Sequence, residues 1–274
     1  MRMLTLATVL LSAIACAGNG RSAADAPIRV LVITATQGFR HTEAIEASKA
    51  RLNQGAAPDM RFEFTEDPGA LTADNLAQYD VLFINNATLR IAPNSPRDSA
   101  EVKWPRTGVA KPVTRDQQQA IASFVRGGKG LVVTHSGVDA FYGWPEYREM
   151  VGGGLFTSHP FTREAKVNVE DQRNPAMAHF GPSVNFREEY YYFDRNPRPS
   201  SHVLMSLDLP SVGDTTRTDH PLALVRRYGQ GRVYVNVLGH FGDTWKRDDY
   251  LTSILQGIRI AAGRLQADFS APAH

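Results

Sequence analysis

The hydrophobic positions of this chain fall into short apolar runs that alternate with stretches of helical spacing. Runs rich in β-branched residues at 28–34, 81–85 and 130–135 predict buried strands. Apolar residues three and four positions apart predict helices over 42–53 and 114–126. Such alternation of strand and helix is typical of a parallel sheet joined by right-handed crossovers, so the pattern indicates the α/β class.

The second half of the chain predicts shorter and less regular elements. Alternating residues favour strands over 165–170 and 188–193, and two later apolar runs joined by a Gly-Gln-Gly turn favour a hairpin. Helical spacing returns over 249–262. No internal repeat is present, and the predicted elements form one domain over residues 28–264.

Two stretches lie outside this pattern. Residues 86–113 contain four prolines and no clear period, which is typical of a lid, a binding loop or an insertion. Residues 1–16 have the layout of a secretory signal peptide, and residues 17–27 are small and polar like a tether. Cys16 lies where a bacterial lipoprotein signal is cut and acylated. We therefore expect export to the periplasm or cell envelope, either with a membrane anchor on lipidated Cys16 or by simple cleavage.

Composition narrows the function classes. The 274 residues include 30 Lys or Arg and 28 Asp or Glu, and the net charge of +2 comes without a basic block. We therefore expect no nucleic-acid partner. Cys16 is the single cysteine, so the mature chain has neither an internal disulfide nor a cysteine nucleophile.

Several of the eight histidines follow predicted strands directly. His41 comes after the first strand, His135 after the strand at 130, and His240 after the last strand. His159 and His220 each precede a proline, which keeps the backbone extended. A single histidine is most simply explained by packing, but several at the carboxyl edge of one sheet indicate a site.

Two chemistries are compatible with this edge. Imidazoles together with a carboxylate are typical ligands of zinc and similar divalent ions. The alternative is a serine nucleophile at Ser136, although Thr134-His135-Ser136-Gly137 is not a G-x-S-x-G motif. The predicted metal ligands are His135, His159, His240 and Glu189, with Asp139, Asp219 and Glu188 in reserve.

A set of short motifs resembles one known family. They follow in order from 28 to 263, and the sequence is similar to ThuA-like (trehalose utilisation) proteins. The motifs are Gly38-Phe39-Arg40-His41, His135-Ser136 with Asp139, Trp144-Pro145-Glu146-Tyr147, Val151-Gly152-Gly153, Ser158-His159-Pro160, Glu188-Glu189-Tyr190-Tyr191, Asp219-His220-Pro221 and Leu238-Gly239-His240.

The resemblance implies a flavodoxin-like fold of the class I glutamine amidotransferase type, a three-layer sandwich around a mainly parallel sheet. In relatives with amidotransferase activity, a cysteine occupies the turn where this chain has His135-Ser136, so we do not expect that activity. The family is associated with the catabolism of disaccharides and keto-sugars.

Three functional hypotheses follow. The first is an exported enzyme that hydrolyses or eliminates a glycoside or 3-keto-sugar with a divalent metal, zinc being the candidate. The second is a non-catalytic carbohydrate-binding lipoprotein, and the third is a metal-independent serine hydrolase. The catalytic candidates are His135, Glu189 and Ser136, and the substrate-binding candidates are Arg40, His41, Asp139, Trp144, Tyr191 and His220.

Overall fold

The computed structural model describes residues 26–55, 57–92 and 110–272. Within these ranges nine strands form one sheet. The strands are β1 (Ile28–Ile33), β2 (Met60–Thr65), β3 (Val81–Asn85), β4 (Gly130–Thr134), β5 (Phe156–Val169), β6 (Ser183–Phe193), β7 (His202–Leu207), β8 (Pro221–Tyr228) and β9 (Gly231–Asn236). The helices are α1 (Thr42–Asn53), α2 (Ala73–Leu76), α3 (Arg115–Arg126), α4 (Pro145–Met150), α5 (Leu209–Val212), α6 (Gly242–Lys246) and α7 (Asp248–Ala261).

Three segments about which the sequence made predictions lie largely outside the described residues. The signal peptide over 1–16, with Cys16, lies outside the described residues, as does most of the tether over 17–27. So does 93–109, the main part of the proline-containing loop. Among the residues that the structure does describe, no helix combines the length and apolar character needed to cross a membrane.

The first half of the sheet is parallel, as the strand–helix alternation predicts. The strand order is β2-β1-β3-β4-β9-β8-β7-β5-β6, and the neighbours from β2 to β9 run parallel. The chain moves from β1 to β2 in one direction along the sheet and from β3 to β4 in the other. Right-handed crossovers therefore put α1 and α3 on opposite faces of this half.

The second half of the sheet is antiparallel, so the expected mainly parallel sheet is not confirmed. The pairs β9–β8, β8–β7, β7–β5 and β5–β6 all run antiparallel. Parallel neighbours need a long crossover connection. Here a short turn joins β8 to β9, and these two strands form the predicted hairpin. The chain is accordingly a mixed α/β fold.

Local sequence explains where several elements begin. Helix α3 starts at a complete capping box, because Gln117 N–H donates to the Thr114 hydroxyl at 3.3 Å and Thr114 N–H donates to the Gln117 side chain at 2.8 Å. Strand β4 ends at Thr134 rather than at His135, since His135 has a φ of +42° and opens a short 3₁₀ turn.

The β5–β6 hairpin is longer than the sequence pattern predicts. Strand β5 has 14 residues and begins at Phe156, whereas the alternation is clear only from Ala165. Its pairing register with β6 shifts between Phe156 and Ser158 and again between Ser158 and Phe161. His159 therefore lies in a bulged stretch of the strand, where an extra residue can redirect a side chain.

Gly257 marks the close approach of α7 to the sheet. A methyl group at this position would come within 2.5–2.7 Å of the ring of Tyr234, which is fully buried and joined to Ser253 by a 2.7 Å hydrogen bond. We expect Gly257→Ala to lower the free energy of unfolding by about 1–3 kcal/mol, despite the higher helix propensity of alanine. Urea denaturation of wild type and variant measures this difference.

Thr252→Ala, on the same helix at a half-buried position, provides the control and should change stability by less than about 0.5 kcal/mol. A Gly257→Ala protein as stable as the wild type would show that helix and sheet are not in tight contact there.

Candidate functional site

Three histidines meet at the carboxyl edge of the parallel strands. His41 immediately precedes α1 after β1, His135 follows β4, and His240 follows β9. The ring of His41 lies 4.7 Å from that of His135 and 4.9 Å from that of His240, measured between centroids. The predicted convergence of distant imidazoles on one rim of the sheet is present in the structure.

The buried His135 ring has a defined protonation pattern. Its Nδ1 lies 3.1 Å from the carbonyl oxygen of Val237. A carbonyl only accepts hydrogen bonds, so Nδ1 carries a proton, and in its neutral form the ring has its lone pair on Nε2. That lone pair faces His240, whose Nδ1 is 3.0 Å away. A hydrogen bond from the other ring nitrogen to a backbone carbonyl, like that from Nδ1 to Val237, orients histidine ligands in metal sites.

Glu189 completes the cluster from strand β6. One carboxylate oxygen, Oε2, lies 3.0 Å from His240 Nδ1 and 3.5 Å from His135 Nε2. These three atoms form a triangle with edges of 3.0, 3.0 and 3.5 Å. Bonds of about 2.0–2.1 Å to a tetrahedral zinc would separate ligand atoms by about 3.3–3.4 Å. The donor set and its spacing therefore fit a small divalent cation.

The fourth donor of the cluster is His41 rather than His159. Ligand atoms of His41, His135, Glu189 and His240 all lie within 4.8 Å of one another. His159 instead pairs through Nδ1 with the other oxygen of Glu189, at 3.2 Å. The sequence thus predicted three of the four grouped residues as ligands, and it assigned His41 to substrate binding.

The surroundings set the charge state of the cluster. Burial raises the pKa of Glu189, but its interactions with the neighbouring imidazoles of His135 and His240 outweigh it and hold that pKa well below its usual range. Burial, followed by the neighbouring His135 and His240, lowers the pKa of His41 well below its usual value. A carboxylate anion and a neutral imidazole are the forms that bind metal ions.

Glu188, a reserve ligand in the sequence analysis, instead accepts four hydrogen bonds from the surrounding backbone and from one hydroxyl. Its Oε1 accepts hydrogen bonds from Gly239 N–H at 3.0 Å and from the Thr244 hydroxyl. Its Oε2 accepts from His240 N–H at 3.1 Å and from Glu189 N–H at 3.3 Å. Glu188 therefore fixes the loop that carries His240 and is not a ligand candidate.

A pocket of about 200 Å³ opens beside the cluster. It is smaller than the roughly 300–1,000 Å³ of sites for drug-sized ligands, and so suits one small ring. Its lining combines imidazoles and carboxylates with aromatic rings. The lining residues are Phe39, His41, Asp139, Phe156, His159, Glu189, Tyr191 and His240.

Two of the predicted substrate-binding residues line this pocket besides His41. The ring of Tyr191 lies 4.2 Å from that of His135, and burial raises its pKa well above 10. Asp139 accepts a 2.7 Å hydrogen bond from the hydroxyl of Tyr142, and the guanidinium of Arg90 lies 3.8 Å from the same oxygen. The carboxylate is thus held in place at the pocket wall.

Arg40, Trp144 and His220 do not line the pocket. Arg40 makes a bidentate ion pair with Glu66, at 2.8 and 2.9 Å. Trp144 is 5% exposed and stacks on Tyr147. His220 is 3% exposed and lines a different depression.

The remaining candidates, Ser136 and Asp219, also lie off the pocket wall. The Ser136 hydroxyl is fully buried and 3.3 Å from His41 Nδ1, a distance that lets it orient this ring. Asp219, the other reserve ligand, accepts hydrogen bonds from Arg198 and Asn196.

Comparison with known proteins identifies the family. The sequence profile described as "ThuA: Trehalose utilisation" matches residues 29–261, which is most of the chain. The chain belongs to this family. The resemblance carried by the short motifs is thereby confirmed, and the family description relates the chain to sugar metabolism.

Solved structures agree on the fold. ThuA-like proteins from Bacteroides uniformis and Parabacteroides merdae are each 17% identical, with TM-scores of 0.66 and 0.64. The first match covers 88% of this chain and 94% of the other, and the second covers 86% and 90%. A β-galactosidase from Bacillus circulans matches 86% of this chain with 31% of its own, at 11% identity and a TM-score of 0.52. A comparison with curated proteins found no match.

Replacing Glu188 tests its role in the backbone. Glu188→Gln puts an amide N–H group among four N–H and O–H donors, so we expect unfolding free energy to fall by about 1.5–3 kcal/mol. Chemical denaturation measures the change. Glu164→Gln, at an exposed position of the neighbouring strand β5, should stay within about 0.5 kcal/mol of wild type. Equal stability of the two variants would contradict the assigned role.

His220 should make stability depend on pH. Burial lowers its pKa to about 4, and its buried Nε2 has no hydrogen-bond partner among the residues that the structure describes. Between pH 6.5 and about 4 the unfolded chain binds a proton that the folded chain does not, so stability falls as the pH falls. At 1.36 kcal/mol per pKa unit, the loss is about 3 kcal/mol. Denaturation curves of His220→Gln should show this loss removed; curves parallel to wild type would contradict it.

Proposed function

We propose that this chain is an exported sugar-catabolism enzyme in which His135, His240, Glu189 and His41 hold a divalent metal, zinc being the first candidate. It would act on a glycoside or a 3-keto-sugar by hydrolysis or elimination. The supporting observation is the triangle of donor atoms from His135, His240 and Glu189, with edges of 3.0–3.5 Å, at the wall of a small pocket. Family membership in trehalose utilisation favours a sugar as the substrate.

The proposed cation would supply Lewis-acid polarisation of a carbonyl or hydroxyl oxygen of the sugar. The chain's own residues bind and orient around it. Val237 fixes the proton of His135 on Nδ1, and Glu188 fixes the backbone of His240, so two of the proposed ligands are preorganised. Asp139 is placed to accept a hydrogen bond from a sugar hydroxyl in the same pocket.

Proton transfer is assigned to the pair of His159 and Glu189. His159 lines the pocket, is bonded to Glu189 Oε1 at 3.2 Å, and belongs to the bulged part of β5. Its imidazole can hold a proton taken from a carbon beside a ketone or from a hydroxyl. The low pKa of Glu189 makes this carboxylate a stabiliser of the protonated imidazole rather than a general acid.

The alternatives receive less support. A serine hydrolase needs an accessible nucleophile, but the Ser136 hydroxyl is buried and does not line the pocket. A carbohydrate-binding lipoprotein would need no group of metal-binding donors. The proposal of export to the periplasm or cell envelope is based on the signal-peptide layout of residues 1–16. Labelling with a radioactive fatty acid would distinguish lipidated Cys16 from simple cleavage.

Removing the proposed ligands tests the proposal. We expect wild type to retain about one zinc per chain after dialysis, and His135→Ala and His240→Ala to lose it together with at least 99% of the turnover of 3-keto-glycosides. Elemental analysis and product detection by chromatography provide the two measurements. Circular dichroism checks that the variants are folded.

His202→Ala is the matched control, because His202 is bound to Asp171 and the Ser270 carbonyl away from the cluster. It should keep metal and activity. Metal content and turnover unchanged in folded His135→Ala and His240→Ala would refute the proposal. Chelator-insensitive turnover that is lost only in Ser136→Ala would instead support the serine hydrolase, and sugar binding without any product would support the binding lipoprotein.

A further inference from the structure

Phe39 is exposed in a way that its side chain does not favour. Its exposed fraction is 45%. Among residues 26–55, 57–92 and 110–272 it is the one exposed large hydrophobic side chain. Leaving a phenylalanine in water costs free energy. An isolated exposed hydrophobic residue is unremarkable by itself, but this one lines the pocket beside the histidine cluster.

The backbone around Phe39 is fixed. Gln37 N–H donates to the Thr88 carbonyl at 3.1 Å, and Gly38 N–H donates to the Thr88 hydroxyl at 3.0 Å. A side chain at Gly38 would come within 3.1–3.3 Å of Arg90 and Thr88, so this turn lies flat against the segment after β3. The backbone that carries the exposed ring is therefore held in place by the fold.

The contacts of the ring leave one part of it available to a ligand. The ring of Phe39 meets that of His41 in an edge arrangement, with centroids 4.9 Å apart and planes at 79°. The two other aromatic residues of the pocket, Phe156 and Tyr191, are only 4% and 3% exposed and contact each other at 4.2 Å. Phe39 is thus the aromatic side chain that a ligand in the pocket can cover most.

We propose that Phe39 is the stacking platform for a single pyranose ring, whose hydroxyl-bearing edge faces Asp139, His159 and Glu189. A pyranose has an apolar C–H face and a polar rim, which matches this combination of an aromatic ring with carboxylates and imidazole. The volume of about 200 Å³ accommodates one ring and leaves further sugar units in solvent. This inference rests on the proposed function in taking the pocket as the sugar site.

The test is sugar binding by the purified full chain, measured by titration calorimetry with methyl α-glucoside, trehalose and maltotriose. We expect Phe39→Ala to raise the dissociation constant of each sugar by about three- to tenfold. Phe39→Trp, which keeps a flat aromatic face, should remain within twofold of wild type. Since one ring fills the pocket, the three sugars should bind wild type within about threefold of one another.

Phe269→Ala is the matched control, because Phe269 is a partly exposed aromatic that packs against Arg227 outside the pocket. It should leave all three affinities unchanged. Sugar binding that is unaffected by Phe39→Ala, affinity that rises tenfold with each added ring, or the absence of binding by wild type would each overturn the inference.

Zinc titration of the same proteins separates this inference from the proposed function. Phe39→Ala should bind zinc like wild type, because its ring contributes no ligand atom. If sugars bind through Phe39 but zinc does not bind and no product forms, the proposed function fails and the platform stands. If zinc binds and turnover occurs but Phe39→Ala binds sugar normally, the platform fails alone.

Discussion

The parallel pairing of β1, β3, β4 and β9 is the constraint on which the site depends. Parallel neighbours end at the same edge of a sheet, so residues that follow them in sequence become neighbours in space. His41, His135 and His240 are therefore brought together by the backbone pairing of the strands that precede them in the chain. The antiparallel half contributes two further residues of the site, because the pairing of β5 with β6 brings Glu189 and His159 to the same edge.

The sequence predicted this edge well because continuous apolar runs encode buried parallel strands. It failed to predict the first part of β5, residues 156–164, because most side chains there are exposed or half-exposed and a bulge interrupts the alternation. That bulge also governs the position of His159, so its pairing with Glu189 could not be inferred from spacing. The grouping of His41 with the metal-binding donors likewise depends on a tertiary contact. His41, directly before α1, packs against the turn that follows β4.

Adjacent Glu188 and Glu189 show how strand geometry divides two identical side chains. Successive residues of a strand project to opposite faces, so only one of the two can reach the imidazoles. Glu188 is fully buried and satisfied by backbone and hydroxyl donors, whereas Glu189 is satisfied by histidine rings at a pocket. The first carboxylate contributes to folding through its hydrogen bonds, and the second provides charge where a ligand can reach it.

His135 illustrates how the fold holds a strained residue in place. A positive φ at a residue other than glycine costs on the order of 1–3 kcal/mol. The Nδ1 hydrogen bond to Val237 and the contact with the Tyr191 ring offset this cost. The turn after His135 is pressed so closely onto β3 and β4 that a methyl group on Gly137 would lie 2.5 Å from Val133. The imidazole is thus oriented by packing and by its hydrogen bond to Val237, and a ligand that arrives at the edge does not have to order it.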